Sequence, residues 1–382
     1  MADPIVVIGS GLAGFNLVKE LRKLDKETPI VMLTADDGRN YSKPMLSTGF
    51  TKEKQADELA MGGPEKTAET FNVDLRHGVT VTGIDRDGKA VLIGEERLPY
   101  SKLVLAWGAD VFRPPLEGDG LERVHTVNDL MDYGRFRDAA DGKKTILVVG
   151  GGLIGCEFAN DLSNGGYKVH VVEPVGRCLP TFLPEPASLA VSSALSELGV
   201  VFHFGPFAQR VDLNGDGVRV TLSDGATVDA DLVLSAVGLR PRIALAAEAG
   251  LAVNKGIVVD RTLRTSDPDI YAVGDCAEVD GHVLLYVLPL MAASRALAQT
   301  LAGTDTPVNY GVMPVTIKTP VCPVVCVVPP AEVSGEWQIE ADGRNVKALF
   351  HDSEGQLRGY ALTGDACSEK MALNKTLPPL LA

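Results

Sequence analysis

The chain writes one short phrase twice. Gly9-Ser10-Gly11-Leu12-Ala13-Gly14 follows the apolar run Ile5–Ile8, and Gly150-Gly151-Gly152-Leu153-Ile154-Gly155 follows Ile146–Val149, about 140 residues later. A helical apolar pattern succeeds each phrase, over Leu12–Leu24 and to about Leu162. A second apolar run then follows each helix, Ile30–Leu33 and Lys168–Val172. Unbroken apolar runs suit parallel strands buried on both faces. In a strand-turn-helix setting, G-x-G-x-x-G allows a tight turn, close packing of helix on strand and close approach of backbone to a pyrophosphate. The helix N-terminus supplies free N–H groups and positive partial charge. A chain with two such units is predicted to be α/β, with two Rossmann-like dinucleotide-binding domains.

Each phrase is followed by an acid placed to hold ribose hydroxyls. Asp36 stands 22 residues after Gly14, with Asp37 beside it, and Glu173 closes the Lys168–Val172 run. A carboxylate at Glu173 would repel a 2′-phosphate, so NADH is expected over NADPH. Arg177, in the same turn, is read as solvated. A third segment runs from Thr265 to Asp275 (TSDPDIYAVGD), in which a strand ends at Gly274 and presents Asp275. By itself that aspartate is either a helix cap or a ligand group.

At 382 residues the chain is long for a single core and suggests two or three domains. The predicted division is 1–110 with 239–311, then 111–238, then a small α+β domain over 312–382. Hairpins are expected from Val79–Val81 with Lys89–Ile93, and from Val218–Leu222 with a strand over Val228–Val237. Crossovers are expected at Pro114-Pro115 and near Gly238–Pro241. In the last domain, strands are expected at Val324–Val328, Lys347–His351 and Gly359–Leu362, and a helix at Asp365–Lys375. The net charge of −14 argues against nucleic acid and anionic membranes as partners. No apolar stretch reaches the roughly 18 residues of a membrane span. The opening MADPIVVIGS lacks a secretory pattern, and the six cysteines are dispersed. Both features lead to the expectation of a cytoplasmic protein with reduced thiols.

Taken together, the two glycine phrases, the Thr265–Asp275 segment and Ala236–Pro241 resemble the two-dinucleotide-binding-domain flavoproteins, the family of glutathione reductase-like enzymes and ferredoxin reductases. The resemblance implies FAD on the first unit, held by Gly9, Gly11, Leu12, Ala13, Gly14, Asp36, Lys43, Pro44, Val81, Trp107, Asp275, Val287 and Lys318. It implies NADH on the second, held by Gly150, Gly152, Leu153, Ile154, Gly155, Glu157, Glu173 and Gly238. The redox cysteine pair of the disulfide reductases is missing. Cys322-x3-Cys326 is the nearest approach, and its flanking valines read as a core strand. Thr48 stands where the peroxide- and oxygen-reducing relatives carry a single Cys. Electrons are therefore expected to leave the flavin directly.

Tyr41–Ser47 (YSKPMLS) is similar to the Y-x-R-P-x-L-S segment of the ferredoxin- and rubredoxin-reductase branch, with Lys43 in place of Arg. With Ala35–Phe50 as a whole and the short last domain, it most resembles the branch that passes electrons from NADH to rubredoxin, often for alkane hydroxylation. Relatives place a Lys at the position of Thr48 and pair it with a Glu matching Glu157. Here Lys318 is the candidate partner for Glu157, against the alternative of a solvated lysine. Glu157 and Lys318 are the expected catalytic residues. The helix near Pro289 is expected to aim its N-terminus at the flavin, with Val287 and Leu288 in contact. Docking of an acidic carrier to an acidic protein calls for a local basic patch, with Arg39, Lys43, Lys52, Lys54, Lys318, Lys370 and Lys375 as candidates. A ferredoxin reductase of an oxygenase system and a slow FAD/NADH redox sensor remain open as alternatives.

Overall fold

The computed structural model describes residues 3–382. In the first unit, strand β1 (Ile5–Ile8) leads into helix α1 (Leu12–Leu24) and strand β2 (Ile30–Leu33), every strand residue being buried. These strands lie at the middle of a five-stranded parallel sheet, flanked by Asp74–Arg76 on one side and by Lys102–Leu105 and Ile270–Ala272 on the other. The last of these strands returns from far along the chain, so the first sheet is discontinuous in sequence.

The second unit repeats the pattern. Strand β3 (Thr145–Val149), helix α2 (Leu153–Asn164) and strand β4 (Lys168–Glu173) sit in another five-stranded parallel sheet, with Leu232–Ser235, Val124–His125 and Val201–Phe204. The chain enters and leaves this unit side by side. Ala109–Val111 pairs antiparallel with Leu239–Pro241, and Arg242 Nε reaches Asp110 Oδ1 at 2.6 Å.

The remaining chain forms an antiparallel sheet in the order Val315–Ile317, Val324–Val327, Leu357–Thr363, Asn345–Asp352, Gly335–Asp342. Its inner face shares one apolar core with the second unit, where Val324, Cys326 and Ala348 join Ala194 and Leu195 of the helix Glu185–Glu197. No helix among the described residues is long and apolar enough to cross a membrane.

Several expectations need correction. Val79–Val81 forms no ladder; the first hairpin pairs Gly83–Asp85 with Ala90–Ile93, and Val79–Val81 runs along a cavity wall instead. The Val228–Val237 span divides, as a hairpin followed by a strand requires, into Thr227–Ala230 and Leu232–Ser235. Asp231 breaks the run, because its carboxylate caps the amides of Lys144 and Thr145 at 2.8 Å. The expected helix Asp365–Lys375 is a 3₁₀ turn, Gly364–Glu369, followed by a short helix, Lys370–Leu373. There Ser368 Oγ donates back to the Asp365 carbonyl at 2.8 Å, which favours the tighter winding. Cys326 lies in its strand, whereas buried Cys322 precedes it in a turn. The edge strand Gly335–Asp342 escaped the sequence reading because nearly all of it is exposed.

His170 on β4 and His203 on the adjoining strand stack with ring centroids 5.3 Å apart, Nδ1 of one 3.0 Å from Nε2 of the other. Burial lowers both pKa values below the ordinary 6.5, and for His170 the neighbouring ring adds to the shift. The unfolded chain therefore binds protons that the folded chain refuses. The stability held above pH 6.5 declines as pH falls through that value toward the folded pKa values. A melting temperature that drops between pH 7 and pH 5 is expected, with a smaller drop in His203→Phe. An identical drop in the variant would remove these histidines from the explanation.

Candidate cofactor site

The glycines of the first turn divide by what surrounds them. A Cβ on Gly14 would lie 2.0 Å from the Gly9 carbonyl oxygen, so this glycine lets α1 sit directly against the turn. A Cβ on Gly11 would meet nothing within 4 Å, because the space in front of it is open cavity. Gly11 starts α1 with no side-chain cap and no acid in the first turn, leaving its amides free. At the end of β2, Asp36 Oδ1 accepts from Thr34 Oγ1 at 2.7 Å, Ser10 Oγ at 3.0 Å and Gly38 N at 2.9 Å. These bonds hold the carboxylate at the cavity wall.

The second turn is built alike. Gly155 would place a Cβ 1.9 Å from the Gly150 carbonyl oxygen, Gly152 faces open space, and α2 starts at Gly152 without a side-chain cap. Buried Glu173 accepts from Gly151 N at 2.8 Å and from Val175 N at 2.9 Å. Leu179, in the left-handed region at φ 51°, donates its N–H to the Gly151 carbonyl at 2.7 Å. The turn is thus fastened on both sides.

Both turns open into one cavity of about 1720 Å³ between the units. Ordinary small-molecule pockets hold roughly 300–1,000 Å³, so this volume suits two dinucleotides. Leu12, Ala13, Leu153 and Ile154 line the cavity at the helix starts. Val81, Trp107, Gly238 and Val287 line it elsewhere, whereas Gly14 and Gly155 lie behind it in the helix–strand contacts. Trp107 is locked by a 2.9 Å bond from Nε1 to the Arg242 carbonyl. The helix α3 (Val287–Leu301) begins at the cavity with no side-chain cap and no acid in its first turn.

Two charged groupings stand on the floor. Lys43 Nζ donates to Asn128 Oδ1 at 2.8 Å and lies 3.9 Å from Asp275 Oδ2. Burial lowers the Lys43 pKa, with Asp275 opposing; burial raises the Asp275 pKa, with Lys43 opposing. The second grouping joins all three parts of the chain. Glu157 on α2, only 1% exposed, accepts from Ser47 Oγ at 2.6 Å and from the Lys318 amide at 2.9 Å, and forms an ion pair with the Lys318 ammonium. Lys318 therefore meets Glu157 as expected.

The expected basic patch loses three of its seven candidates. Arg39 is held by Asp37 and Asp57 at 2.7 and 2.6 Å, Lys43 faces Asp275, and Lys318 faces Glu157. Lys52, Lys54, Lys370 and Lys375 carry no ion pair among the described residues. Among the described residues, no cysteine lines the cavity. The sequence reading missed Asn128, which ties Lys43 to the Ala109 carbonyl through Nδ2 at 2.9 Å. It also missed Asp161, four residues beyond Glu157 on the same helix face. The i, i+4 spacing of two acids on a helix otherwise rich in small and apolar residues was the available signal.

Residues 3–300 match the family described as pyridine nucleotide-disulphide oxidoreductase. The chain belongs to that family. Residues 307–377 match a rubredoxin binding C-terminal domain. The rubredoxin-NAD(+) reductase of Alcanivorax borkumensis is 66% identical over 380 residues, covering 99% of each chain. The protein of the same name from Acinetobacter baylyi is 41% identical over 393 residues, covering 99% of this chain and 98% of its own. Among solved structures, the ferredoxin reductase of the CYP199A2 system from Rhodopseudomonas palustris superposes with a TM-score of 0.89 at 28% identity. The match covers 99% of this chain and 96% of that one. The mixed α/β fold with two Rossmann-like sheets is thus that of the flavoprotein reductases.

Proposed function

We propose that this family member is an FAD-dependent reductase that takes electrons from NADH and delivers them to rubredoxin. The observation that carries the reading is the pair of uncapped helix N-termini, each fronted by an open glycine, facing one cavity large enough for both nucleotides. The match of residues 307–377 and the two named relatives support rubredoxin as the acceptor. On this reading, residues 1–110 with 239–311 hold FAD, 111–238 hold NADH, and 312–382 serve the carrier. The six free thiols suit a cytoplasmic setting.

FAD, when bound, accepts a hydride and gives up electrons singly. The chain supplies everything else. The α1 and α2 amides take the pyrophosphates, while Asp36 and Glu173 take ribose hydroxyls. The start of α3 would offer positive partial charge to a bound isoalloxazine as it gained negative charge. Lys43 and Asp275 orient polar groups of the flavin nucleotide. Glu157, held by Ser47 and Lys318, sets the floor on which the nicotinamide rests. With no thiol in the cavity, no side chain need carry the electrons.

Glu157→Ala is expected to slow flavin reduction by NADH about tenfold while leaving reoxidation by rubredoxin near wild type. Stopped-flow traces of the two half-reactions check this; equal slowing of both would remove Glu157 from the nicotinamide. The likeness to a ferredoxin reductase structure favours ferredoxin as the second reading. Reoxidation of the reduced protein by purified rubredoxin at least tenfold faster than by ferredoxin is expected, and the reverse order would transfer the assignment.

A further inference from the structure

Helix α2 does more than begin at the NADH turn. Two turns into the helix, Asp161 is 2% exposed and receives two backbone amides from the flavin-side unit. Phe50 N lies 3.0 Å from Oδ2, and Thr51 N lies 2.7 Å from Oδ1. Asp161 forms no ion pair among the described residues, so these amides are its main partners. Four residues earlier, Glu157 receives Ser47 Oγ at 2.6 Å. On the other chain segment, Ser47 and Phe50–Thr51 have a similar spacing. Two carboxylates on one helix face therefore grip the two ends of one short segment.

That segment is the one that enters the flavin side of the cavity. Lys43–Thr48 is a 3₁₀ helix with Lys43, Pro44, Leu46 and Ser47 on the cavity wall. It departs from helical geometry at Ser47 (φ −87°, ψ 22°), so its regular winding is interrupted at the residue that bonds Glu157. A neighbouring residue, Asn160, extends the grip to the last domain by accepting from Val321 N at 3.2 Å. The segment beyond is also seated, since Tyr133 Oη donates to the Lys54 carbonyl at 2.8 Å.

We propose that Asp161 is a positioning residue for the hydride step: its carboxylate fixes segment 43–51 against the helix that carries the NADH turn, and so sets the spacing of the two rings. This rests on the FAD and NADH reading above. The same segment also packs against the second unit through Phe50, which meets Tyr133, Phe136 and Tyr167 edge-on, and the ribbon of Ala109–Val111 and Leu239–Pro241 joins the units elsewhere. Apolar contact is non-directional and permits slides of about 1 Å, whereas two charge-assisted amide bonds fix the register. Hydride transfer is lost steeply over such distances, whereas binding of each nucleotide to its own unit is not. Removing the Asp161 carboxylate should therefore separate rate from affinity.

The test uses the FAD-loaded protein with Asp161→Ala and the isosteric Asp161→Asn, which keeps one acceptor. In Asp161→Ala, flavin content and the NAD+ dissociation constant stay within about twofold of wild type. The limiting rate of flavin reduction falls about tenfold. The long-wavelength charge-transfer absorbance between nicotinamide and flavin weakens, and the Phe50 and Thr51 amides exchange faster with deuterium. Asp161→Asn recovers part of each effect, and it decides the matter if the alanine variant does not fold. Faster amide exchange with an unchanged limiting rate and charge-transfer band would overturn the proposal, leaving Asp161 a structural cap. A wild-type protein that binds no flavin, or whose flavin NADH does not bleach, would instead refute the reading beneath it.

Discussion

Gly152→Val will retain its flavin and lose reduction by NADH, whereas Gly11→Val will fold without holding flavin. The expectation follows from what each glycine faces. A Cβ at either position meets no protein atom within 4 Å, so the folded chain tolerates the added carbons. Both residues have ordinary negative φ (−70° and −76°), so the backbone is not strained either. The new methyl groups occupy the space above the free helix amides, where a pyrophosphate must come to hydrogen-bonding distance. Loss of those charge-assisted bonds, at about 1.5–3 kcal/mol each, corresponds to a loss of 100-fold or more in affinity. Flavin absorbance of the purified variants and NADH titration of flavin bleaching measure both arms. An unaltered NADH half-saturation in Gly152→Val would show that the nucleotide binds elsewhere. Gly14→Val behaves differently, because its Cβ would press 2.0 Å from the Gly9 carbonyl oxygen and disturb the fold itself.

Glu173→Arg is expected to lower kcat/KM for NADH about 100-fold and to reverse the preference, favouring NADPH at least tenfold. The carboxylate has two tasks. It binds the Gly151 and Val175 amides at 2.8 and 2.9 Å, which shapes the turn, and it stands at the end of β4, where the proposed function would have it receive the adenosine ribose. Two unit charges 4 Å apart interact by about 4 kcal/mol at an effective dielectric of about 20. Solvent at the cavity mouth screens part of that. Even one third of it gives a tenfold discrimination against a 2′-phosphate. Replacing the carboxylate with a guanidinium reverses the sign, while the unfastened turn lowers activity with both nucleotides. Steady-state kinetics with NADH and NADPH check the ratio; an unchanged ratio would place the ribose away from Glu173.

The two parallel sheets were legible because their local signals agree with their tertiary roles. Ile5–Ile8 and Ile146–Val149 are apolar without interruption because both faces of each strand are covered, and the helices start where glycine permits close approach. The hairpin at Gly83–Asp85 and the edge strand Gly335–Asp342 were less legible. Gly83–Asp85 is only half-buried and Gly335–Asp342 is almost wholly exposed, so packing places little demand on their composition. Asp161 and Asn128 were hard to read as site residues because much of what they bind is backbone: two amides for Asp161, and the Ala109 carbonyl beside the Lys43 ammonium for Asn128. Phe50 N, Thr51 N and the Ala109 carbonyl exist in any sequence and leave no mark at those positions.

The sequence by itself determined the two glycine turns, the acids that follow them and the family's class of chemistry, because each depends on residue types at fixed local spacing. Only the tertiary structure decided that Gly11 and Gly152 face one shared cavity while Gly14 and Gly155 face their own turns. It alone decided that Lys318 serves Glu157 rather than solvent, and that Arg39 pairs with Asp37 and Asp57 and Lys43 faces Asp275. The physical reason is common to all of these. Each depends on which distant groups the packing of three sheets brings within a few ångströms, and charge pairing at that range is set by position in space rather than by order along the chain.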